Sequence, residues 1–383
     1  MSNEGYEEGE VILTAETVDE CDRDEAILIR QDSMQRELPV SCLSNVFYSF
    51  WSVRRASHYK STVQSYWWYH LRYSHLISKA LTDKTYQPQP VDTFTVNERG
   101  KLRNIRANKV NDRVVNNLVD LIILRPKTEP KLIYDNGASR KGFGTDHSRS
   151  RLEKHCHDAM FNYGEDCVIS LFDIKNFFGS IQICIALKQY RELIDSDDEY
   201  EILERQVLKH NEGPAGMGLG SVISQNAGLY YLHRFDNYIK IVLGCKYYGR
   251  YMDDFYIICR NKDEVKVLTE KIKTYLAREV SLELNERKTR VVKLTQGFKY
   301  LKFYYRVTPT GKIYKRQCND TFIRERRKLK RFKNTKMTDA DIVQSYNSWR
   351  GTVSKNKFNE PRLLKTDEVF RNLYPHLVQY VNF

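Results

Sequence analysis

Two adjacent aspartates, Asp253 and Asp254, stand between two short runs of strand-forming residues, 246–250 and 255–259. Two such runs joined by so short a polar segment predict an antiparallel hairpin with Tyr251-Met252-Asp253-Asp254 at its turn. Carboxylates this close repel each other and add nothing to a hydrophobic core, but they are the ligands that Mg²⁺ prefers. The turn therefore predicts half of a divalent-cation site.

A third acid, Asp173, ends an apolar run at residues 167–174. It stands between Phe172 and Ile174, where a buried carboxylate is costly unless a positive charge or hydrogen bonds compensate it. If this run pairs with the hairpin, three carboxylates lie at one edge of a sheet, where two Mg²⁺ ions would support phosphoryl transfer. The alternative interpretation is that Asp173 only caps the turn that follows it.

The composition favours a globular protein that binds a polyanion. The 383 residues are 41% hydrophobic, and 62 lysines and arginines outnumber 49 acids, which gives a net charge of +13. This excess attracts nucleic acid, and the 26 tyrosines offer rings that stack on bases. The alternative is a basic protein with a tyrosine-rich core. No apolar run is long enough to cross a membrane, and eight scattered cysteines without a Cys-x-x-Cys pair indicate a reducing, cytoplasmic location.

Charge and turn residues divide the chain into four predicted segments. Residues 1–30 are an acidic lead-in, and residues 31–165 hold aromatic, basic helices followed by a hairpin. Residues 166–305 carry the strands and the three acids, and residues 306–383 are helical, with a cationic run at 324–333. This order of helical and strand patterns predicts an α+β fold with a small antiparallel sheet.

Five motifs stand in the order that they have in reverse transcriptases, and together they resemble that family over roughly residues 95–305. They are Phe172-Asp-Ile-Lys-Asn-Phe-Phe178, the glycine-rich loop ending at Ser224-Gln225, Arg250-Tyr-Met-Asp-Asp254, Leu284-Asn-Glu-Arg-Lys-Thr289 and Tyr300-Leu301. The resemblance implies a right-hand polymerase with fingers, a palm that holds the small antiparallel sheet, and a helical thumb. It also implies an RNA-directed DNA polymerase, a nucleotidyltransferase that uses dNTPs and two Mg²⁺ ions, with Mn²⁺ as an alternative.

The same resemblance assigns roles to the matching positions. The residues that match the catalytic metal site are Asp173, Ile174 through its backbone, Asp253 and Asp254, and Lys288 matches the proton donor to pyrophosphate. The residues that match the dNTP site are Lys101, Arg103, Arg113, Arg140, Phe178 and Gln225. Phe178 matches the ring that excludes a ribose 2′-hydroxyl. A core role for Phe178, and a surface role for Lys288 and the other cations, are the alternatives.

Contacts with template and primer are implied at three places. The residues at the catalytic hairpin and at a second, primer-gripping hairpin are Tyr251, Met252, Tyr300 and Leu301, with Lys302 in place of the usual glycine. The cationic run predicts a helix whose positive ridge follows the sugar–phosphate backbone through Arg324, Arg326, Arg327 and Lys330. An ordinary solvated helix face is the alternative.

The dipeptide Ser224-Gln225 narrows the resemblance to bacterial or phage enzymes of the group II intron-like lineage. Intron-encoded enzymes usually have proline after this serine, whereas diversity-generating retroelement and defence-associated (abortive-infection) enzymes have glutamine. The expected function is the copying of a dedicated noncoding RNA into cDNA, from an RNA template and a DNA primer, in anti-phage defence. A retroelement role, template-independent or protein-primed synthesis, and a non-catalytic, maturase-like RNA-binding role stay open, as do a protein partner and a homo-oligomer.

Overall fold

The computed structural model describes residues 38–383 apart from Arg99, Glu212 and the side chain of Lys101. The predicted acidic lead-in of residues 1–30 therefore lies outside the described residues, and the four predicted segment boundaries stay predictions. The described chain forms two compact units. The first comprises the described residues through Lys127, with Tyr190–Glu212 and Gly218–Ser224, and the second comprises Thr128–Gln189, Gly213–Met217 and Gln225–Phe383.

Every strand of the described chain belongs to a small antiparallel sheet. In chain order the strands are β1 (Asp92–Glu98), β2 (Lys101–Ala107), β3 (Val168–Asp173), β4 (Tyr248–Tyr251), β5 (Asp254–Cys259), β6 (Arg290–Lys293), β7 (Phe298–Tyr300), β8 (Phe303–Val307) and β9 (Ile313–Gln317). The hairpin β1-β2 stands alone, the central sheet has the order β4-β5-β3-β6, and the third sheet has the order β7-β8-β9.

Helices account for most of the remaining described chain. In chain order they are α1 (Leu43–Ser57), α2 (Ser61–Trp68), α3 (His70–Thr82), α4 (Val110–Leu118), α5 (Arg125–Thr128), α6 (Thr145–Tyr163), α7 (Phe177–Ser180), α8 (Ile183–Arg191), α9 (Asp197–His210), α10 (Val222–Tyr230), α11 (His233–Asn237), α12 (Lys262–Val280), α13 (Asn319–Phe332), α14 (Asp339–Val353) and α15 (Glu360–Leu373). The predicted α+β class is confirmed. Within residues 38–383 as described, no helix has the length and apolar character needed to span a membrane.

One face of α6 packs against the central sheet. Its Leu152, Cys156 and Met160 share a buried core with Ile169 of β3 and Tyr256 of β5. Steps of four residues put the first three side chains on the same side of the helix. Burial of each large apolar side chain contributes roughly 1.5–3 kcal/mol. This core fixes the positions of β3, which ends at Asp173, and of β5, which begins at Asp254.

The C-terminal helices α13, α14 and α15 have a core of their own. Its buried residues are Leu329, Phe332, Ile342, Tyr346, Phe370, Tyr374, Leu377 and Val381. Asp367 is buried beside this core, where it accepts hydrogen bonds from the Tyr346 hydroxyl at 2.6 Å and from Nε of Arg350 at 3.0 Å. These bonds satisfy the carboxylate that burial would otherwise penalise.

Candidate active site

The two adjacent aspartates lie at the turn between β4 and β5. Tyr251 pairs with Asp254 across the hairpin, which leaves Met252 and Asp253 as a two-residue loop. Met252 has a φ of 57°, in the region that is strained for residues with a Cβ. On the other side of β5, Asp254 is the register partner of Asp173 at the end of β3. Register partners present their side chains on the same face of a sheet, so these two acids are cross-strand neighbours.

A buried ion pair holds this turn. The Arg250 guanidinium donates two hydrogen bonds of 2.7 Å to the Asp236 carboxylate, and both side chains are 0% exposed. Its Nη1 also donates to the carbonyl oxygen of Met252 at 3.0 Å. A fixed carbonyl at this residue stabilises the strained loop conformation. Sequence reasoning missed the pair, because only the fold brings Asp236 of α11 beside Arg250 of β4.

The segment after α12 supplies the contacts of Asp173. Lys288 Nζ donates to Oδ1 of Asp173 at 2.7 Å, and Asn285 Nδ2 donates to Oδ2 at 3.0 Å. The backbone N–H of Asn285 donates to the Asp173 carbonyl at 2.7 Å, and the N–H of Ile174 donates to the Asp253 carbonyl at 3.3 Å. The structure therefore brings Lys288 and Ile174 to the acids, as the sequence predicts.

Negative charge at this sheet edge is only partly compensated. Asp254 is exposed at the sheet edge, yet desolvation by the surrounding protein, followed by the nearby carboxylates of Asp253 and Asp173, raises its pKa to about 7 against an opposing effect of Lys288. The hydrogen bond to Asp173 raises the pKa of Lys288. A divalent cation would relieve the repulsion between the acids, and three carboxylates offer the oxygen ligands that Mg²⁺ and Mn²⁺ bind.

The side chains are not arranged as a finished metal site. Within the described residues, no group of three or more histidine, cysteine, aspartate or glutamate side chains is placed to hold a metal ion. The Asp173 carboxylate contacts Lys288 and Asn285 rather than the turn after β3. The chemistry of the donor set fits a divalent cation, and each Asp173 oxygen accepts one hydrogen bond and keeps a second lone pair for a metal ion.

The predicted gate residue, Phe178, is half-buried in the short helix α7. Its carbonyl accepts a hydrogen bond of 2.7 Å from the N–H of Met217 in the glycine-rich loop. Its ring packs on α10, because a Cβ added at Gly228 would lie 2.9 Å from Cζ of Phe178. A glycine at this helical position therefore allows the close approach of the ring.

Gln225 is exposed in the first half of α10. The next residue, Asn226, is buried and donates to the Thr128 hydroxyl at 3.2 Å. The buried asparagine therefore anchors this part of the helix, while the amide of Gln225 faces solvent. Its predicted contact with the nucleotide stays a prediction.

Two of the predicted triphosphate-binding cations of the first unit, Arg103 and Arg113, have partners within that unit. Arg103 of β2 forms an ion pair with Glu98 at 2.5 Å. Arg113 of α4 is half-buried and donates to the Ser57 hydroxyl at 2.6 Å, and burial lowers its pKa. The side chain of Lys101 lies outside the described part of the chain. Binding of a triphosphate by these three residues stays a prediction.

Arg140 stabilises the glycine-bearing loop that precedes α6. Its Nη1 donates to the carbonyls of Ile133 at 3.1 Å and of Asn136 at 3.0 Å. Its guanidinium lies 3.9 Å from the ring centre of Phe143. These contacts hold the loop through Nη1 and leave other donors of the guanidinium, so the predicted role of Arg140 at the dNTP stays a prediction.

The second predicted hairpin joins β7 and β8 through Leu301 and Lys302, which have φ of 42° and 70°. The positive φ at Lys302 is the conformation that glycine adopts without strain. Tyr300 is only 6% exposed, and its ring lies 5.3 Å from that of Tyr256. The ring of Tyr300 is therefore part of the core, and its predicted contact with nucleic acid stays a prediction. Leu301 stands at the turn.

The predicted basic ridge lies on α13, with one exception. Arg324, Arg327 and Lys330 are exposed on this helix. Arg326 is half-buried and donates to the Thr366 hydroxyl of α15 at 3.2 Å. Arg326 therefore joins two helices of the same unit, and the exposed ridge consists of the other three residues.

Comparison with known proteins identifies the family. The profile described as "Reverse transcriptase (RNA-dependent DNA polymerase)" matches residues 90–305. Among solved structures, the chain is similar at a TM-score of 0.48 to apo telomerase from Candida tropicalis truncated from the C-terminal domain, with 13% identity over 62% of this chain and 58% of that one. Telomerase from Candida albicans in complex with the TWJ fragment of telomeric RNA also has a TM-score of 0.48, with 12% identity over 83% of this chain and 60% of that one.

The chain thus spans about 60% of the length of these telomerase chains. No curated protein matches the sequence. Members of the matched family generally use divalent metal ions. Because the family profile covers more than half of the 383 residues, the chain belongs to the reverse transcriptase (RNA-dependent DNA polymerase) family.

Proposed function

We propose that this protein copies an RNA template into cDNA by adding dNTPs to a DNA primer. The observation that supports this most strongly is the antiparallel pairing of Asp173 with Asp254, with Asp253 in the adjoining turn. The 2.7 Å contact between Lys288 and Asp173 adds a proton donor at the same place. This combination suits nucleotidyl transfer, where charge develops on phosphate oxygens and a leaving group needs a proton.

In the proposed reaction, the primer 3′-hydroxyl oxygen forms a bond to the α-phosphorus while the bond from that phosphorus to pyrophosphate breaks. Asp173, Asp253, Asp254 and the backbone of Ile174 would hold two divalent cations, Mg²⁺ or Mn²⁺, which when bound stabilise charge on the reacting phosphate. The 3′-hydroxyl loses its proton to solvent water, and Lys288 donates a proton to the leaving pyrophosphate and regains one from solvent. Tyr251 and Met252 lie next to the acids, where the primer end would be placed.

Primer extension with a defined RNA template tests the proposed activity. With one dNTP omitted, the product should stop immediately before the first template base that requires it. Exchange of the template should move the stop to the new position. Extension that ignores the template would instead support template-independent synthesis, and a mass increase of the protein itself after incubation with dNTPs would support protein priming.

Removal of the Phe178 ring is expected to relax sugar selection. Phe178→Val should raise kcat/KM for a ribonucleotide relative to the matching deoxyribonucleotide by roughly tenfold or more, since the ring no longer opposes a 2′-hydroxyl. Gly228→Ala is the matched second variant, because its added Cβ pushes on the same ring from 2.9 Å. It should change sugar selection while the Phe178 ring is retained. An unchanged ratio in both variants would leave the ring with a packing role alone.

The exposed ridge on α13 is expected to bind phosphates. In the triple variant Arg324→Gln, Arg327→Gln, Lys330→Gln, the slope of log K against log salt for primer–template binding should become smaller in magnitude by about 2. Each lost phosphate contact reduces the slope by roughly 0.7–0.9. Arg326→Gln is the control, since it removes the same charge from a half-buried position bonded to Thr366. An unchanged slope in the triple variant contradicts the ridge.

The exposed Gln225 after Ser224 supports a place among bacterial or phage enzymes that copy a dedicated noncoding RNA, in anti-phage defence. Sequencing of the nucleic acid that co-purifies with the full-length protein tests this. One short RNA species is the expected result, and a protein partner or a second copy would be recovered with it. A mixed pool of cellular RNA contradicts a dedicated template. A pair of repeats in the neighbouring genomic sequence, one template and one variable, that differ at adenines would assign the enzyme to sequence diversification instead.

A further inference from the structure

The helices α1 to α3 carry positive charge without any opposing acid. From residue 38 to residue 82 the sequence contains no aspartate or glutamate, and its cations are Arg54, Arg55, Lys60, Arg72 and Lys79. A stretch of this length normally mixes both signs, because charged residues make up 29% of the whole chain. The residues of these helices therefore attract a polyanion, and the first acid after them in the sequence is the exposed Asp83, which caps α3. These residues also precede the segment that the family profile matches, residues 90–305.

Large rings and aliphatic side chains lie exposed on the same helices. Trp68 is 79% exposed, Tyr69 is 59% exposed and Leu71 is 65% exposed. They are not needed for the core, which the helices build from other residues: Val46, Phe50, Val63, Tyr66, Ile77 and Leu81. Exposed apolar side chains that lie next to one another, unlike single scattered ones, usually mark an interaction surface.

The exposed aromatic and basic side chains follow one another on α3. Tyr69 is the residue immediately before α3, and Arg72, Leu76 and Lys79 follow it at steps of three or four residues, all exposed. This spacing puts them along one side of a helix. We call Trp68, Tyr69, Leu71, Arg72, Leu76 and Lys79 the aromatic–basic face.

A stack of rings makes the turn that carries Trp68 and Tyr69 rigid. The ring of His70 lies parallel to that of Trp67, with centroids 4.2 Å apart and an angle of 8°. The Arg54 guanidinium lies 4.2 Å from the Trp67 ring centre and 4.9 Å from that of Trp51. Rings presented from such a preorganised turn lose little conformational entropy when a ligand binds.

We infer that the aromatic–basic face binds single-stranded RNA outside the polymerase segment. Two exposed rings followed by two cations along one side of a helix match a strand whose bases are unstacked and whose phosphates are evenly spaced, because bases stack on the rings while lysine and arginine contact phosphates. A regular RNA duplex keeps its bases stacked and cannot use the exposed rings. The inference depends on the proposed function only in the choice of RNA as the polyanion.

Binding of a labelled oligouridine of about 15 nucleotides to the full-length protein tests the face, since this length matches the largest single-strand sites of aromatic grooves. The double variant Trp68→Ala, Tyr69→Ala should weaken binding roughly tenfold or more, as stacking on each ring is lost. Trp68→Phe keeps a ring and should bind nearly as the wild type does. The double variant Arg72→Gln, Lys79→Gln should reduce the magnitude of the slope of log K against log salt for oligouridine binding by about 1.

Phe161→Ala is the matched control, because Phe161 is an 88% exposed aromatic elsewhere on the protein, on α6. It should leave oligouridine binding unchanged, and blunt RNA duplex should bind equally to the wild type and to the double variant. Normal oligouridine binding by the double variant contradicts the inference, and so does loss of a co-purifying protein without loss of RNA binding.

Failure of the inference is distinguishable from failure of the proposed function. The double variant should extend a short, pre-annealed primer–template at the wild-type rate when protein is saturating. A wild type that binds oligouridine through this face but never extends a primer would leave the face intact and refute the polymerase. If the wild type extends primers and the double variant binds oligouridine normally, RNA binding by the aromatic–basic face is refuted and the proposed polymerase activity is not.

Discussion

Asp253→Asn and Asp254→Asn are each expected to lower the rate of single-nucleotide incorporation at least about 100-fold. Loss of a group that only orients a metal ligand typically costs about 10–100-fold, and loss of a proposed ligand should cost no less. Asparagine keeps the shape of the side chain but removes the negative charge at the turn between β4 and β5. Single-turnover extension of a primer on an RNA template measures the effect.

Protein stability provides the control for this loss. Desolvation and the neighbouring carboxylates disfavour the ionised form of Asp254, so a neutral side chain there should not lower the melting temperature. Asp263→Asn is the matched variant, because Asp263 is an exposed acid of α12 whose side chain is 86% accessible. It should extend primers as the wild type does. Near-normal incorporation by Asp253→Asn and Asp254→Asn contradicts their catalytic assignment.

Asp236→Ala is expected to lower the free energy of unfolding by about 3–5 kcal/mol, because it leaves the Arg250 guanidinium buried without its counter-charge. The loss should appear as a lower melting temperature and a lower denaturant midpoint. Lys266→Ala, which breaks an exposed ion pair with Asp263, is the control and should change stability by no more than about 1 kcal/mol.

Arg250→Lys separates the positioning of the turn from general stability. Lysine keeps the charge beside Asp236 but cannot also reach the Met252 carbonyl with a second, fixed donor. We therefore expect kcat to fall by a larger factor than the loss of stability explains, while KM for dNTP changes little. A variant that is destabilised but has a normal kcat at a temperature where it is folded would show that the pair only supports the fold.

The three acids could be expected to lie together because each stands in a recognisable local pattern, and the order of the motifs in the family that the chain resembles implies that these patterns meet. The pairing of β3 with β5 itself joins distant parts of the chain, and its register follows from which residues are apolar. The segment with Asn285 and Lys288 follows β5 after helix α12. Hairpin β1-β2 was predictable for the same reason, since its turn residues and alternation are local.

Side-chain contacts that tertiary packing creates could not be predicted from local patterns. Nothing in the sequence distinguishes Arg250 from a surface arginine until α11 brings Asp236 beside it. Arg326 has the same helical pattern as its exposed neighbours, and only the packing of α15 makes it half-buried. Tyr300 matches the family motif, yet its ring packs in the core beside Tyr256. In each case tertiary packing decides, and local propensity carries no information about it.

Binding of Mn²⁺ to the full-length protein, with primer–template and a non-hydrolysable dNTP analogue present, tests the central claim most directly. The loss of the free-ion electron paramagnetic resonance signal, beyond the loss that the analogue and primer–template cause without protein, measures the protein-bound ion without any need for turnover. We predict that Asp173→Asn and Asp254→Asn each weaken this binding at least about tenfold, whereas Asp263→Asn leaves it unchanged. Equal Mn²⁺ binding by the wild type and by both active-site variants would contradict the assignment of these acids to one cation site.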